Sequence, residues 1–378
     1  MKKIGIYIHI PFCIKKCYYC DFISYPKSRD KIAEYTDYLL LEIELYRDIL
    51  KDYTINTIFI GGGTPSCIDE EYISKILDYI HKNYNTSNLE EITIEANPGT
   101  LSKQKLKSYK SFGINRISIG VQSLDDKLLK DIGRVHTSID FYRNYETIRN
   151  LGFDNVNVDL IFGLPNQTID QCETTLKDII KLDVEHISYY SLILEDGTLL
   201  KKRYEEGKID LPDEDKERYM YHKGVKLLKE NGYDHYEISN FSKRGYRCKH
   251  NLVYWQLSPY IGFGIAAHSN LDNRRFWNHV NFENYYRCLK YHQLPIAGEE
   301  IINRDMEMAE YLIMGLRLIE GIDKMKFYQR FNVSVDEIYG DVFRKHEEKG
   351  LISMDENCIR FTSLGLDLSN LVYVDLLP

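Results

Sequence analysis

Ile4 to Phe22 reads IGIYIHIPFCIKKCYYCDF. Its first part, Ile4 to Ile10, is an apolar run with the length and β-branched content of a buried strand, closed by Pro11. Cys13, Cys17 and Cys20 follow at once in a C-x3-C-x2-C pattern. Cysteine thiolates hold iron–sulfur cubanes, ordinarily four to a cluster. Three on one tight loop ligate three irons and leave the fourth open to an outside ligand, as a chemical site needs. Two other uses of the same residues compete: a zinc knuckle with His9 as fourth ligand, and a disulfide with one thiol left over. Zinc sites favour cysteine pairs answered by a second pair far along the chain, and the sequence has no such second pair.

The surrounding chain is that of an ordinary globular protein. Its 378 residues are enough for a full-size core and two domains, and 43% hydrophobic with 28% charged residues excludes a disordered or fibrous class. Apolar runs fall well short of the ~20 residues of a membrane span. The start, MKKIGIYIHIPFC, invites comparison with a signal peptide. His9 and Pro11 interrupt it, no small-residue cleavage site follows, and it runs straight into the cysteines, so that reading is rejected. Eight cysteines without paired spacing point to a reducing cytoplasm. A net charge of −8 argues against broad nucleic-acid binding, which needs a basic face. The 31 tyrosines reflect overall composition rather than a cofactor box.

Outward from the cysteines, strands alternate with helices. Ser28 is placed to cap a long helix whose apolar face is Ile32, Tyr35, Leu39, Ile43, Tyr46 and Leu50. Strands are expected at Ile55–Ile60, Ile92–Glu95, Arg116–Val121, Val156–Phe162 and His186–Ile193, each but the last followed by a helical stretch. Asp69 opens one of these, Ser102 another, and Thr168 with Gln171 forms a capping box for a third. Gly113 and Gly152 stop two of them. Six strands joined by right-handed crossovers make an α/β fold with a parallel sheet. Six repeats rather than eight predict an open, three-quarter TIM-like barrel, with a doubly wound sheet as the competing architecture. We divide the chain into a barrel over 1–240, a connecting segment over 241–299 and a small C-terminal domain over 300–378. That last domain reads as helices over Arg304–Ile319 and Val335–Glu348, then a hairpin around Asp355-Glu356-Asn357, an α+β arrangement like a winged helix. Nine basic against fifteen acidic residues there repel phosphate, so docking or covering a site suits it better than binding DNA.

Loops after the strands of a parallel barrel share one face, and that face carries the site. Gly61-Gly62-Gly63 follows the second strand and lets backbone groups approach a ligand; no Gly-Lys-Ser/Thr follows, which excludes a phosphate loop. Glu95 ends an otherwise apolar strand and Gln122 ends the next, with Arg134 twelve residues on and able to grip a carboxylate. Asp159 lies inside the apolar run VNVDLIFG, where a charge needs a partner. Farther on, Cys248-Lys249-His250-Asn251-x-x-Tyr254-Trp255 sets a candidate haem ligand, His250, beside large aromatics. Gly262-x-Gly264-x-Ala266-Ala267-His268-Ser269 holds a second candidate, His268. For any one of eleven histidines the ordinary alternative is a satisfied structural role.

The motifs HIPFCxxxCxYCDF, GGGTP, IEANP, SIGVQS, Ile132-Gly133-Arg134-Val135-His136, VDLIFGLP, HNxxYW and GxGxxAHS, in that order, resemble those of HemW-type proteins. These are radical S-adenosylmethionine (SAM) relatives of oxygen-independent coproporphyrinogen III oxidase, and the resemblance runs from about residue 4 to the C-terminus. It implies a 4Fe–4S cluster on Cys13, Cys17 and Cys20 with SAM on the unique iron. It further implies that Tyr7, Tyr19, Gly62, Gly63, Thr64, Glu95, Gln122, Arg134 and Asp159 match positions that hold one or two SAM molecules. Reductive cleavage of SAM would yield methionine and a 5′-deoxyadenosyl radical. In the oxidase the motif continues to a fourth cysteine, where this chain has Phe22, and a long arm precedes it, where this chain has twelve residues. HNxxYW is the segment associated with haem in HemW. The resemblance thus implies a haem chaperone that passes haem to acceptor haemoproteins, with flavodoxin or ferredoxin as a candidate reductant. It implies a cytoplasmic location, peripheral to the membrane during handover, without a transmembrane anchor. Coproporphyrinogen dehydrogenation is the enzymatic alternative, and a porphyrin-methylating or porphyrin-opening enzyme a third.

Overall fold

The computed structural model describes residues 1–26 and 28–378. Six parallel strands form the centre: β1 (Lys2–Ile10), β2 (Tyr53–Gly62), β3 (Glu91–Ala96), β4 (Arg116–Gln122), β5 (Val156–Phe162) and β6 (His186–Ser191). They pair in chain order, each with the next. A doubly wound sheet reverses its order at a switch point; these six strands do not, so they form the singly wound, unclosed barrel. On β1, Ile4, Ile6, Ile8 and Ile10 are at most 1% exposed in the main core. Alternation turns Gly5, Tyr7 and His9 to the other, concave face.

The helices between the strands are α1 (Ile32–Leu45), α2 (Glu70–Asn83), α3 (Lys103–Ser111), the pair α4 (Asp126–Asp131) and α5 (Ser138–Asn150), and α6 (Ile169–Lys181). Ser102 caps α3 and the Thr168–Gln171 box caps α6 as their sequence predicts. Ser28 makes no side-chain cap; a single turn of 3-10 helix, Arg29–Lys31, leads into α1 instead. Two further helices, α7 (Leu199–Glu205) and α8 (Glu214–Glu230), follow β6.

The segment 241–299 does more than connect. After α9 (Lys249–Trp255) it supplies β7 (Tyr260–Phe263), β8 (His268–Leu271) and β9 (Arg274–Asn278). Helix α10 (Phe282–Lys290) leads to β10 (Ile296–Ile301). Strand β7 pairs parallel with the free side of β1, and β8, β9 and β10 continue antiparallel from it. The sheet therefore has twelve strands and ends at β10 on one side and at Asp234–His235 on the other. These strands escape sequence periodicity because YIGF and HSNL are short and bounded by small residues.

The C-terminal domain has α11 (Arg304–Gly315), four more helices over Lys324–Phe331, Val335–Glu348, Ser363–Asp367 and Ser369–Leu376, and a three-stranded antiparallel sheet. Its core of Met308, Leu312, Phe327, Phe343 and Ile359 is separate from that of the barrel. It joins the barrel by a two-sided backbone clasp: Ile238 N donates to Arg317 O at 3.1 Å and Ile319 N to Tyr236 O at 3.1 Å. No described helix is long and apolar enough to cross a membrane.

One buried carboxylate ties the added strands to the barrel. Glu42 of α1 accepts from Gly264 N at 2.7 Å, Asn278 Nδ2 at 2.6 Å and Tyr285 Oη at 2.5 Å. Burial pushes its carboxyl up to about 7, against the pull of those three donors. A carboxyl raised in the fold from about 4.3 unfolded favours folding fully below the unfolded value. That contribution, of order 3 kcal/mol, is lost as pH rises through about 7. In denaturant unfolding between pH 5 and 8, wild type should therefore lose stability relative to Glu42→Gln by that order. A pH-independent difference would show that Glu42 does not titrate there.

Candidate functional site

On β1–β6 the face away from the helices is polar. A chain of hydrogen bonds crosses it: His186 Nδ1 to Asn157 Oδ1 at 2.6 Å, Asn157 Nδ2 to Ser118 Oγ at 2.7 Å, and Ser118 Oγ to Asp159 Oδ2 at 2.9 Å. Helix α9 closes the floor of this concave face. Its first amides, Lys249 N and His250 N, each donate at 3.0 Å to the Glu91 carboxylate, which takes the place of an N-cap.

The cysteine loop covers the mouth. Cys20 N turns back to Cys17 O at 3.3 Å. Tyr18 N donates to Ile132 O at 2.9 Å, Leu200 N to Tyr18 O at 2.7 Å, and the Arg203 guanidinium lies 4.3 Å from the Tyr18 ring centre. Gly133, at φ +81°, passes so close beneath Tyr18 that a Cβ would sit 2.7 Å from the ring. All three thiols are free and half-buried. Burial raises the Cys13 and Cys20 thiols, that of Cys20 to about 11, while Thr64 opposes the rise at Cys13.

Three side chains, Thr64, Asn97 and Arg134, link two of these thiols underneath. Cys13 Sγ lies 3.6 Å from Thr64 Oγ1, Asn97 Nδ2 donates to Thr64 Oγ1 at 2.8 Å, and Arg134 Nη2 donates to Asn97 Oδ1 at 2.6 Å. Arg134 Nη1 completes the ring on Cys17 Sγ at 3.5 Å, and Nη2 also meets Gly120 O. Gly120 makes the room, since a Cβ there would crowd Asn97, Gln122 and Arg134. Sequence reading missed the role of Asn97; its signal was a polar side chain at the carboxyl end of a barrel strand, within IEANP.

The expected residues fall around that ring. Glu95 accepts from Gly62 N at 3.0 Å, and burial first, then the Asp159 charge, raise its carboxyl to about 7. Asp159 takes donors from Ser118 and Asn157 rather than from a cation. Gln122 sits at φ +65° where the β4–β5 register slips, a bulge that re-aims its side chain. Burial raises the phenol of Tyr19, whose surroundings include Arg134, Cys17, Cys20 and Asp159. Tyr7 Oη donates to His9 Nδ1 at 2.9 Å, and His9 Nε2 donates to Ile23 O at 2.9 Å.

Three expectations are corrected. The glycine triplet does not offer its amides to a ligand: Gly62 N serves Glu95, Gly63 N goes to Ile10 O at 2.9 Å and Thr64 N to Phe12 O at 2.7 Å. The glycines are needed for close packing, because a Cβ on Gly62 would meet the His9 ring and one on Gly63 the backbone of Ile10 and Phe12. The zinc alternative fails at His9, both of whose ring nitrogens are committed. His250 is also no haem ligand in this arrangement. It is fully buried at the floor, with Nδ1 2.9 Å from Thr57 Oγ1 and Nε2 2.9 Å from Tyr254 Oη. Burial, then the Arg116 charge, lower it to about 3, so it stays neutral and structural.

The donor set fits the groups implied by the resemblance. Among the described residues no three His, Cys, Asp or Glu side chains converge as one mononuclear ion requires. Thiols that each take a different iron of a cluster need not converge. Arg134 Nε is buried without a partner, and Glu95 and Asp159 face the same space without a cation. A carboxylate-bearing, positively charged ligand answers all three. Arg134→Ala, and Asn97→Ala through the loosened guanidinium, should each weaken SAM binding about tenfold or more, from the ~1.5–3 kcal/mol of a charged hydrogen bond. Anaerobic calorimetry beside iron counting checks this: iron should remain, and unchanged SAM affinity would remove the ring from the ligand pocket.

Comparison with known proteins agrees with this geometry. The Radical SAM superfamily model matches residues 7–179 and the HemN C-terminal domain model residues 302–368. The chain is 38% identical over 370 residues to "Heme chaperone HemW" of Bacillus subtilis, covering 97% of each. It is 36% identical to the protein of that name in Lactococcus lactis, covering 98% of this chain and 97% of that one. Among solved structures, coproporphyrinogen III oxidase (HemN) from Escherichia coli superposes with a TM-score of 0.86 at 21% identity, over 99% of this chain and 90% of that one, a likeness of fold alone. The superfamily implies a 4Fe–4S cluster and SAM. With such identity over nearly its whole length, the chain belongs to the HemW family of radical SAM proteins.

Proposed function

We propose that this chain is a haem chaperone: it binds haem and passes it to acceptor haemoproteins. The observation that carries the reading is the full-length similarity to relatives named for that function. Cys13, Cys17 and Cys20 hold a 4Fe–4S cluster, which with SAM supplies reductive one-electron chemistry when bound. Tyr7, Tyr19, Gly62, Gly63, Thr64, Glu95, Gln122, Arg134 and Asp159 shape and charge the SAM pocket. Arg134 grips the carboxylate, and Glu95 and Asp159 balance the positive end. Phe22 supports the chaperone over the oxidase, since its exposed ring stands where the oxidase has a fourth cysteine.

Lys15, Lys16 and Arg203 lie on or beside the cysteine loop outside any ion pair among the described residues. They suit an acidic electron donor such as flavodoxin or ferredoxin. Handover takes place in the cytoplasm or at the membrane surface. Titration with haem should give a saturable Soret shift at one haem per chain, and the loaded protein should restore the spectrum of an apo-haemoprotein. Multiple-turnover conversion of coproporphyrinogen III to protoporphyrinogen IX would replace this reading with the oxidase.

A further inference from the structure

Resting on the haem-binding reading, a second question arises once His250 is committed to the barrel floor: which group meets the iron. Strand register answers it. Tyr260 of β7 lies on the concave face, its ring edge-on to Tyr254 with centroids 4.8 Å apart. Tyr260 pairs with Asn270 of β8, so His268, two residues back, points to the same side. His268 pairs with Trp277 of β9, and Trp277 with Gly298 of β10. The opposite face of these strands, with Ser269, Leu271 and Phe276, is buried.

His268 is exposed and makes no side-chain hydrogen bond among the described residues. Its ring stacks on the Trp277 indole at 5.9 Å and 27°. The indole in turn lies flat on the backbone of β10, where a Cβ on Gly298 would come within 2.5 Å of it. The imidazole is thus held against a rigid aromatic plate on the same side of the sheet as Tyr260, and its ring is exposed. We propose that His268 is the axial ligand of haem in this chain, and that Trp277 is the positioning residue that sets the plane of its imidazole. Partial desolvation of the ring, then the Arg275 charge, hold the His268 pKa below its ordinary value, which favours the neutral form that ligates. Arg275 is itself paired with Glu310 of α11 at 2.5 Å and Glu300 at 3.5 Å, the other charged groups on this wall.

Ferric haem titrations of the full-length, cluster-reconstituted protein test the assignment. His268→Gly should weaken binding at least tenfold and shift the Soret band, and added imidazole should restore the wild-type spectrum. Trp277→Leu should broaden the spectrum with a smaller loss of affinity. His268→Gly with unchanged spectrum and affinity would overturn the proposal, as would loss without imidazole rescue in a protein of normal circular dichroism and iron content. So would a Soret band that disappears in folded His250→Gln while surviving in His268→Gly. If wild type takes up no stoichiometric haem, the chaperone reading itself fails, an outcome distinct from a His268 variant that binds like wild type.

Discussion

A single buried guanidinium organises the mouth of this barrel. A charge taken out of water must be met by well-placed acceptors or it destabilises the fold. Arg134 is met by Asn97 and Gly120 from the ends of two different strands, and by Cys17 of the loop above. Each acceptor imposes something local. Gly120 has to lack a side chain, Gly133 has to take a left-handed turn under Tyr18, and Thr64 has to bridge Asn97 to Cys13. The short cysteine loop inherits its shape from this arrangement more than from its own backbone. The leftover Nε has no partner among the described residues.

The same economy of partners divides the barrel into floor and mouth. At the floor the main polar groups answer one another: Glu91 caps α9, and His250 sits between Thr57 and Tyr254. At the mouth two carboxylates and a guanidinium edge remain without ionic partners. Buried polar groups that satisfy one another make a rigid plug; those left half-satisfied mark where a ligand belongs.

How far the chain could be read in advance follows the same physics. The six parallel strands were legible because buried parallel strands are nearly continuous apolar runs, and Val156–Phe162 occurs as expected residue for residue. The cysteines, Glu95, Arg134 and Asp159 stood out as polar residues where alternation or spacing made them unusual. Strand β7 did not stand out, because its parallel partner is β1, some 250 residues earlier, and no local pattern encodes a distant register; β8 to β10, which pair with their chain neighbours, are short and carry little apolar alternation. His250 misled for a related reason. A histidine beside aromatics reads alike whether its nitrogens face a ligand or a threonine and a tyrosine, and only packing distinguishes them.

An unclosed barrel also has to manage its two free margins. A strand at the end of a sheet offers unpaired backbone groups to any other chain, and proteins that leave such strands long and apolar aggregate. One margin here, Asp234–His235, is only two residues long. The other, β10, reads IAGEEI, with a glycine in mid-strand and the exposed Glu299 and Glu300 paired to arginines on the neighbouring strand. Carboxylates in that position repel a second copy of the same edge and cost less than closing the sheet. The concave face can therefore stay open to one side while the protein remains protected against sheet-to-sheet association with itself.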